Sequence, residues 1–212
     1  GFGVFLCEGV NVVLEGEAND SVCKSMSGGQ VVLKPPQGVS YEPKDAAIIG
    51  NCALYGATGG KLYVYGKAGD RFAVRNSGAV SVVESVGMHS CGYMTGGTVL
   101  ILGEALQNIG GGMTGGVLYT HRDNARYINQ EYLAAETMSP EDENAMRALM
   151  EDYATQTMSE RARSYLADWR SFSSDIVKYV PLAMVQKDVQ AVQSTQEQSQ
   201  NKEVAQNQAI VQ

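Results

Sequence analysis

The sequence predicts a mainly β fold, a parallel β-solenoid followed by a short helical segment. Two observations carry this: a glycine doublet recurs at near-constant spacing, and a short apolar alternation follows each doublet. The doublets read Met26-Ser27-Gly28-Gly29, Ala57-Thr58-Gly59-Gly60, Asn76-Ser77-Gly78-Ala79, Met94-Thr95-Gly96-Gly97 and Met113-Thr114-Gly115-Gly116. Counted from the second residue of each, the steps are 31, 19, 18 and 19, and Gly9 lies 20 before the first. The long step holds an insertion running from Lys34-Pro35-Pro36 to Pro43, which can loop out without breaking the count.

The runs after the doublets are Gln30–Leu33, Lys61–Tyr65, Val80–Val83, Thr98–Leu102 and Val117–Tyr119. They are β-branched or aromatic, alternate with period two and are too short for helices. A polar turn residue, Asp20, Asn51, Asp70 or Gln107, sits eight before the first glycine of the next doublet. Such a unit cannot bury its own apolar face, but stacking equivalent strands about 4.8 Å apart encloses a continuous core. We expect Gly28, Gly29, Gly59, Gly60, Gly78, Gly96, Gly97, Gly115 and Gly116 to be corners where a positive φ or close backbone approach excludes a Cβ. No six-residue beat of the left-handed acyltransferase helix is visible. The acids Glu15, Glu17, Asp70 and Glu84 are too scattered for the calcium clusters of polysaccharide-lyase coils.

Composition narrows the function classes. The net charge of −7 with no basic block argues against nucleic acid or an anionic membrane as partner. No apolar run approaches membrane-spanning length, and Gly1-Phe2-Gly3-Val4 lacks the basic start of a signal peptide. The absence of an initiator Met leads us to expect a fragment or processed chain. The four cysteines, Cys7, Cys23, Cys52 and Cys91, show no metal-ligand spacing and read as reduced core thiols, Cys23 and Cys91 at one equivalent place in the repeat. Gly110-x-Gly112-x-x-Gly115 matches a dinucleotide fingerprint by pattern, yet a strand rather than a helix follows it, so no cofactor reading stands. No catalytic, cofactor or metal site is expected. Arg71, Arg75 and Asn76 are the candidate interface residues, His89 beside Cys91 offers too few ligands for a metal, and His121-Arg122-Asp123 reads as a turn.

Beyond Tyr119 the pattern turns helical. Ser139-Pro140-Glu141-Asp142 predicts a helix start, followed by Met146, Leu149, Met150 and Tyr153 on one face. A second helix is predicted from Thr157 with Glu160 in capping-box position, presenting Ala162, Tyr165, Leu166 and Trp169. The two helices should pack on each other or lid the last coil. The organisation expected is a solenoid over residues 1–122, a helical segment over 123–184 and a Gln-rich tail over 185–212 whose composition predicts disorder.

Ile49 to Gly60, Gly69 to Ala79, Tyr93-Met94-Thr95-Gly96-Gly97, Glu15 to Asp20 and Gly112 to Gly116, in that family's order, resemble the C-terminal domain of the glutamate synthase large chain. The resemblance spans Gly1 to about Pro181. It implies a right-handed parallel β-helix, a non-catalytic module that positions the amidotransferase and flavin-binding modules of the same polypeptide. The family's nucleophilic Cys, FMN barrel and Fe–S cysteines have no counterpart here, so no cofactor is expected in this chain. It further implies a cytoplasmic enzyme, or a plastid stromal one in a photosynthetic eukaryote. The alternative is a free-standing scaffold that docks redox or amidotransferase chains, as the glycine-repeat subunit of formylmethanofuran dehydrogenase does. Gly1 would fall inside an earlier coil, so Gly1–Leu14 should be the weakest-held strand, with Phe2, Val4, Phe5 and Leu6 inviting self-association.

Overall fold

The computed structural model describes residues 1–185. Six strands stack in parallel in the order β1 (Asn11–Glu15), β2 (Ser27–Lys34), β4 (Gly59–Ala68), β5 (Ser77–Ser85), β6 (Thr95–Ile101) and β7 (Gly115–His121). The short β3 (Ala47–Ile49) pairs with the end of β4 on a second face of the coil. Registers run straight through the stack, Val12 to Val31 to Leu62 to Ser81 to Val99 to Leu118. That row points inward and forms the solenoid core together with residues such as Phe72, Ile101 and Met94. The one polar member, Ser81, donates its hydroxyl to the Leu62 carbonyl at 2.6 Å, so no unpaired group is buried there.

The neighbouring row, Val32, Tyr63, Val82, Leu100 and Tyr119, points outward yet is also buried. Its cover is α1 (Pro140–Thr157), through Met146, Met150 and Tyr153, with α2 (Glu160–Ala167) and α3 (Trp169–Asp175) completing the layer. The helices pack on each other, the first of the two arrangements expected from the sequence, and they brace the flank across several coils instead of lidding the last one. The row of apolar side chains that they cover, from Val32 to Tyr119, runs along the flank.

The last coil is closed by strands that the helical pattern hid. β9 (Ile176–Pro181) pairs antiparallel with β7, and β8 (Leu133–Glu136) pairs antiparallel with β9. Residues 123–184 are therefore a mixed helix–strand segment. The turn predicted at His121-Arg122-Asp123 opens a 3-10 turn over Arg122–Tyr127. At the other end, β1 has no strand on its outer edge among the described residues. Phe5 is 72 % and Val13 55 % exposed there, while Phe2 and Leu6 pack against the core. All but the first residue of the predicted tail lies outside the described residues.

The start of α1 is capped as its sequence dictates: the Asp142 N–H donates to Ser139 Oγ at 3.1 Å, and the Ser139 N–H to Asp142 Oδ2 at 2.9 Å. The second start lies two residues later than predicted, because Thr157 is the end of α1. Met158 adopts a left-handed conformation (φ 64°) that breaks the helix, and Ser159 caps α2 by accepting from the Ala162 N–H. No helix among the described residues is long and apolar enough to cross a membrane.

Candidate functional site

The corners of the solenoid expose several polar side chains, among them Arg71, Arg75, His89 and Asn108. Each coil turns through five residues in which positions one, three and five are left-handed: Arg71, Ala73 and Arg75 (φ 57, 58 and 55°), then His89, Cys91 and Tyr93 (φ 60, 56 and 53°), then Asn108, Gly110 and Gly112 (φ 62, 74 and 73°). A left-handed L-residue costs roughly 1–2 kcal/mol. The alternation is held by hydrogen bonds reaching in both directions along the stack. Arg71 and Arg75 donate their N–H groups forward to the Met88 and Gly92 carbonyls, while Ala73 donates back to Ala53. Cys23 and Cys91 occupy the middle position, are buried, and have thiols pushed up to about 12 by that burial. Cys7 is exposed and Cys52 half-buried, so neither is a core thiol.

The polar turn residues form a ladder between coils as well as a turn within each. Asp20 Oδ1 accepts from the Asn51 N–H at 2.7 Å, Asn51 Oδ1 from Asp70 N–H at 2.8 Å, and Asp70 Oδ1 from Met88 N–H at 2.8 Å.

Of the three predicted interface residues, Arg71 and Arg75 stand exposed at positions one and five of their corner. Asn76 does not join them. It is fully buried, donates to the Ala79 carbonyl at 2.9 Å and accepts from the Ala79 N–H at 2.9 Å. Its amide thus folds the one doublet whose second residue is Ala rather than Gly. The arginines border a groove of about 290 Å³ lined by Arg71, His89, Tyr93, Asn108, Asn129 and Tyr132, and a shallower depression between Arg75 and Tyr93 that continues it. Within the groove the side chains are ordered by one backbone donor. The Glu131 N–H donates to Asn129 Oδ1 at 3.0 Å, which turns Asn129 Nδ2 onto Asn108 Oδ1 at 2.8 Å. Asn108 Nδ2 then faces His89 Nδ1 at 2.9 Å. An amide nitrogen only donates, so Nδ1 accepts and Nε2 carries the ring proton.

Sequence reasoning missed the second polar centre. Glu84, on the outward face of β5, is fully buried beneath the α1–α2 junction. Its Oε1 accepts from Ser159 Oγ at 2.8 Å and Tyr153 Oη at 2.9 Å, and Oε2 lies 3.2 Å from Arg161 Nη1. Burial pushes the Glu84 carboxyl up from its ordinary value, and the Arg161 charge opposes this. The Tyr153 hydroxyl has a single proton and two acceptors, since the Val64 carbonyl is also 3.1 Å away. The signal available was a lone acid following Val82-Val83 in a strand whose outer neighbours are all apolar. These contacts tie helix to solenoid, as does Asp152, which accepts from Lys61 and Tyr63 at 2.8 and 2.7 Å.

A third brace joins helix to closing strand: Lys178 on β9 donates to Asp142 Oδ2 at 2.9 Å and pairs with Glu136 at 2.7 Å. The Lys178 hydrogen bond, helped by the Ser139 cap, holds the Asp142 carboxyl down at about 2. A lowered carboxylate stabilises the fold above its ordinary value, 3.8, and loses that contribution as the pH falls through about 2. Replacing Lys178 by Met should bring the Asp142 titration, followed through its carboxyl carbon by NMR, back toward 3.8. An unmoved titration would show that the cap alone is responsible.

The chain is similar to glutamate synthases over 85 % of its length. It is 46 % identical over 184 residues to a ferredoxin-dependent glutamate synthase of Pyropia yezoensis, covering 12 % of that protein. It is 44 % identical over 185 residues to the chloroplastic ferredoxin-dependent enzyme of Spinacia oleracea, covering 11 %, and 40 % identical over 185 residues to the large chain of the NADPH glutamate synthase of Bacillus subtilis, covering 12 %. It therefore spans about an eighth of the curated relatives it matches. A family model described as the GXGXG motif matches residues 1–182. Alternate glycines are what a corner with alternate left-handed residues would accept at least cost, and here Gly110 and Gly112 still occupy two of those places. By sequence match and by the geometry that the motif serves, this chain belongs to the GXGXG motif family.

Proposed function

We propose that this chain is a non-catalytic structural module of a glutamate synthase, the enzyme that makes glutamate from glutamine and 2-oxoglutarate, and that it holds the amidotransferase and flavin-binding modules in register. The observation that carries the reading is the bracing of the stack: one parallel ladder of six strands, clamped along its flank by α1 through Glu84 and Asp152. Such a body is a stiff spacer, and a fixed separation between two sites is worth rate because it removes a search in solution. Relatives named for ferredoxin, NADPH and NADH all match this region, which fits a task independent of the electron donor. The compartment we propose is the cytoplasm, or the plastid stroma in a photosynthetic eukaryote; some of the relatives are called chloroplastic. The relatives, in which this region is about 12 % of a longer chain, weigh against the alternative of a free-standing scaffold subunit.

The test changes the spacing without touching the clamp. Asn11 pairs with Gln30, so duplicating residues 11–29 adds one whole coil before β2, outside the strands that carry Lys61, Tyr63 and Glu84. In the full-length enzyme this should lengthen the spacer by about 4.8 Å. Glutamine hydrolysis and ammonia-driven glutamate formation should each persist, while glutamate made per glutamine consumed falls. Unchanged coupling in a folded variant would sink the spacer reading.

A further inference from the structure

We propose that the corner groove between Arg71, His89, Tyr93 and Tyr132 docks an acidic polypeptide segment, one carboxylate entering between the Arg71 guanidinium and the His89 Nε2–H. The proposal names the surface by which the spacer would grip a neighbour, and so rests on that reading.

Three observations point to this occupant. The chain carries a net charge of −7, yet among the described residues no carboxylate lines the groove. Of the two acids adjacent in sequence to its walls, Asp70 already accepts from the Met88 N–H, and Glu131, beside Tyr132, is exposed and does not line the groove. The groove thus offers positive charge and donors on an otherwise acidic molecule, which selects an acidic partner and rejects a basic one.

The donors are also oriented. The Glu131 N–H fixes Asn129, Asn129 fixes Asn108, and Asn108 makes His89 Nδ1 an acceptor, leaving its Nε2–H with no partner among the described residues. Three successive turns of the solenoid therefore cooperate to present one donor beside a guanidinium. A carboxylate takes one hydrogen bond from each, and charge-assisted bonds of this kind are the strong ones.

Shape selects a polypeptide over a free metabolite. At about 290 Å³ and open to solvent, the groove would cover only part of a small molecule, whereas such sites usually enclose most of their ligand. It continues instead past Tyr93, which is 64 % exposed, into the depression at Arg75, while Tyr132, 41 % exposed, walls the other side. Two arginines and two tyrosines along one open face are the residues that dominate binding energy at protein interfaces.

The experiment titrates the isotope-labelled full chain with an acetylated peptide alternating glutamate and leucine, and with the same peptide carrying glutamine instead. The acidic peptide should shift the His89 ring, Asn108 and Arg71 side-chain signals, and weaken on addition of salt. The glutamine peptide, and the acidic peptide with Arg71→Gln, should each bind about tenfold more weakly. Arg163→Gln, on α2, should change nothing. Asn129→Asp reverses the relay: Asn108 must then donate toward residue 129 and turn its oxygen to His89. The two His89 ring nitrogens should exchange their 15N signatures in alkaline buffer.

Equal binding of both peptides, shifts mapping elsewhere, or an Arg71→Gln variant that binds like the parent would overturn the docking proposal. So would free glutarate binding as tightly as the peptide. An unaltered His89 signature in Asn129→Asp would overturn the relay. None of these results bears on the coil-duplication test, so the two readings fail separately.

Discussion

Gly115→Ala should lower the stability of the fold by about 2–3 kcal/mol in urea melts, the cost of overpacking a site that is unable to yield. The backbone at Gly115 is not left-handed; what excludes a side chain is distance. A Cβ built there would fall onto the Thr95 carbonyl oxygen of the preceding coil. That carbonyl is backbone held in the ladder, so no rotamer change can relieve the contact. The same approach recurs at Gly59, Gly78 and Gly96, which suggests that the first glycine of each doublet sets how closely consecutive coils stack. Gly38→Ala provides the contrast. Gly38 is left-handed (φ 77°), and a Cβ there would meet nothing. It should cost only the conformational penalty, about 1 kcal/mol. If Gly115→Ala melted like the parent, or less severely than Gly38→Ala, close stacking would not be the reason for the doublets.

The doublets were the readable part of the fold because a steric requirement repeated at every coil leaves glycine at every coil. They mark the places where strands begin, and so gave the period, the parallel stacking and the inward rows. The left-handed corners just before them were not readable. Arg71, Ala73, Arg75, His89, Cys91 and Tyr93 all adopt a conformation that their own propensities oppose, because coil-to-coil hydrogen bonds impose it from outside. The sequence therefore marked Arg71 and Arg75 as notable without revealing that they share a corner with His89, Tyr93 and Asn108. Asn76 illustrates the converse, since a polar residue beside two arginines reads as surface until its amide is seen folding the doublet. β8 and β9 escaped because each is short and is paired with a distant segment, with no turn signal joining them. Glu84 escaped because burial of an acid depends on partners some seventy residues away, Tyr153, Ser159 and Arg161.

Arg161→Met should be the most damaging single change at the polar centre around Glu84, costing about 3 kcal/mol, the lower part of the range for breaking a buried ion pair, since Arg161 retains some solvent exposure. The loss is that of the charge left behind. Glu84 is fully buried, and its Oε2 has no hydrogen-bond donor among the described residues; it lies 3.2 Å from Arg161 Nη1 without hydrogen-bond alignment, so the guanidinium serves it as a charge. The pH dependence separates this cause from lost packing. A carboxyl raised on folding contributes stability that is full below its ordinary value, 4.5, and is lost as the pH rises through the folded value. The parent should therefore lose some stability as the pH rises above 4.5, and Arg161→Met should continue to lose it to higher pH, because the opposing charge is gone. Glu84→Gln should abolish that slope, since its amide oxygen still accepts from Tyr153 and Ser159 but does not ionise in this range. Combined with Arg161→Met it should restore most of the stability, because no charge then remains buried without a partner. Urea melts of the four proteins across the acidic and neutral range decide the matter. A double variant as unstable as Arg161→Met, or an Arg161→Met variant with the parent's pH slope, would mean that Arg161 acts through its packing against Gly103 rather than by neutralising Glu84.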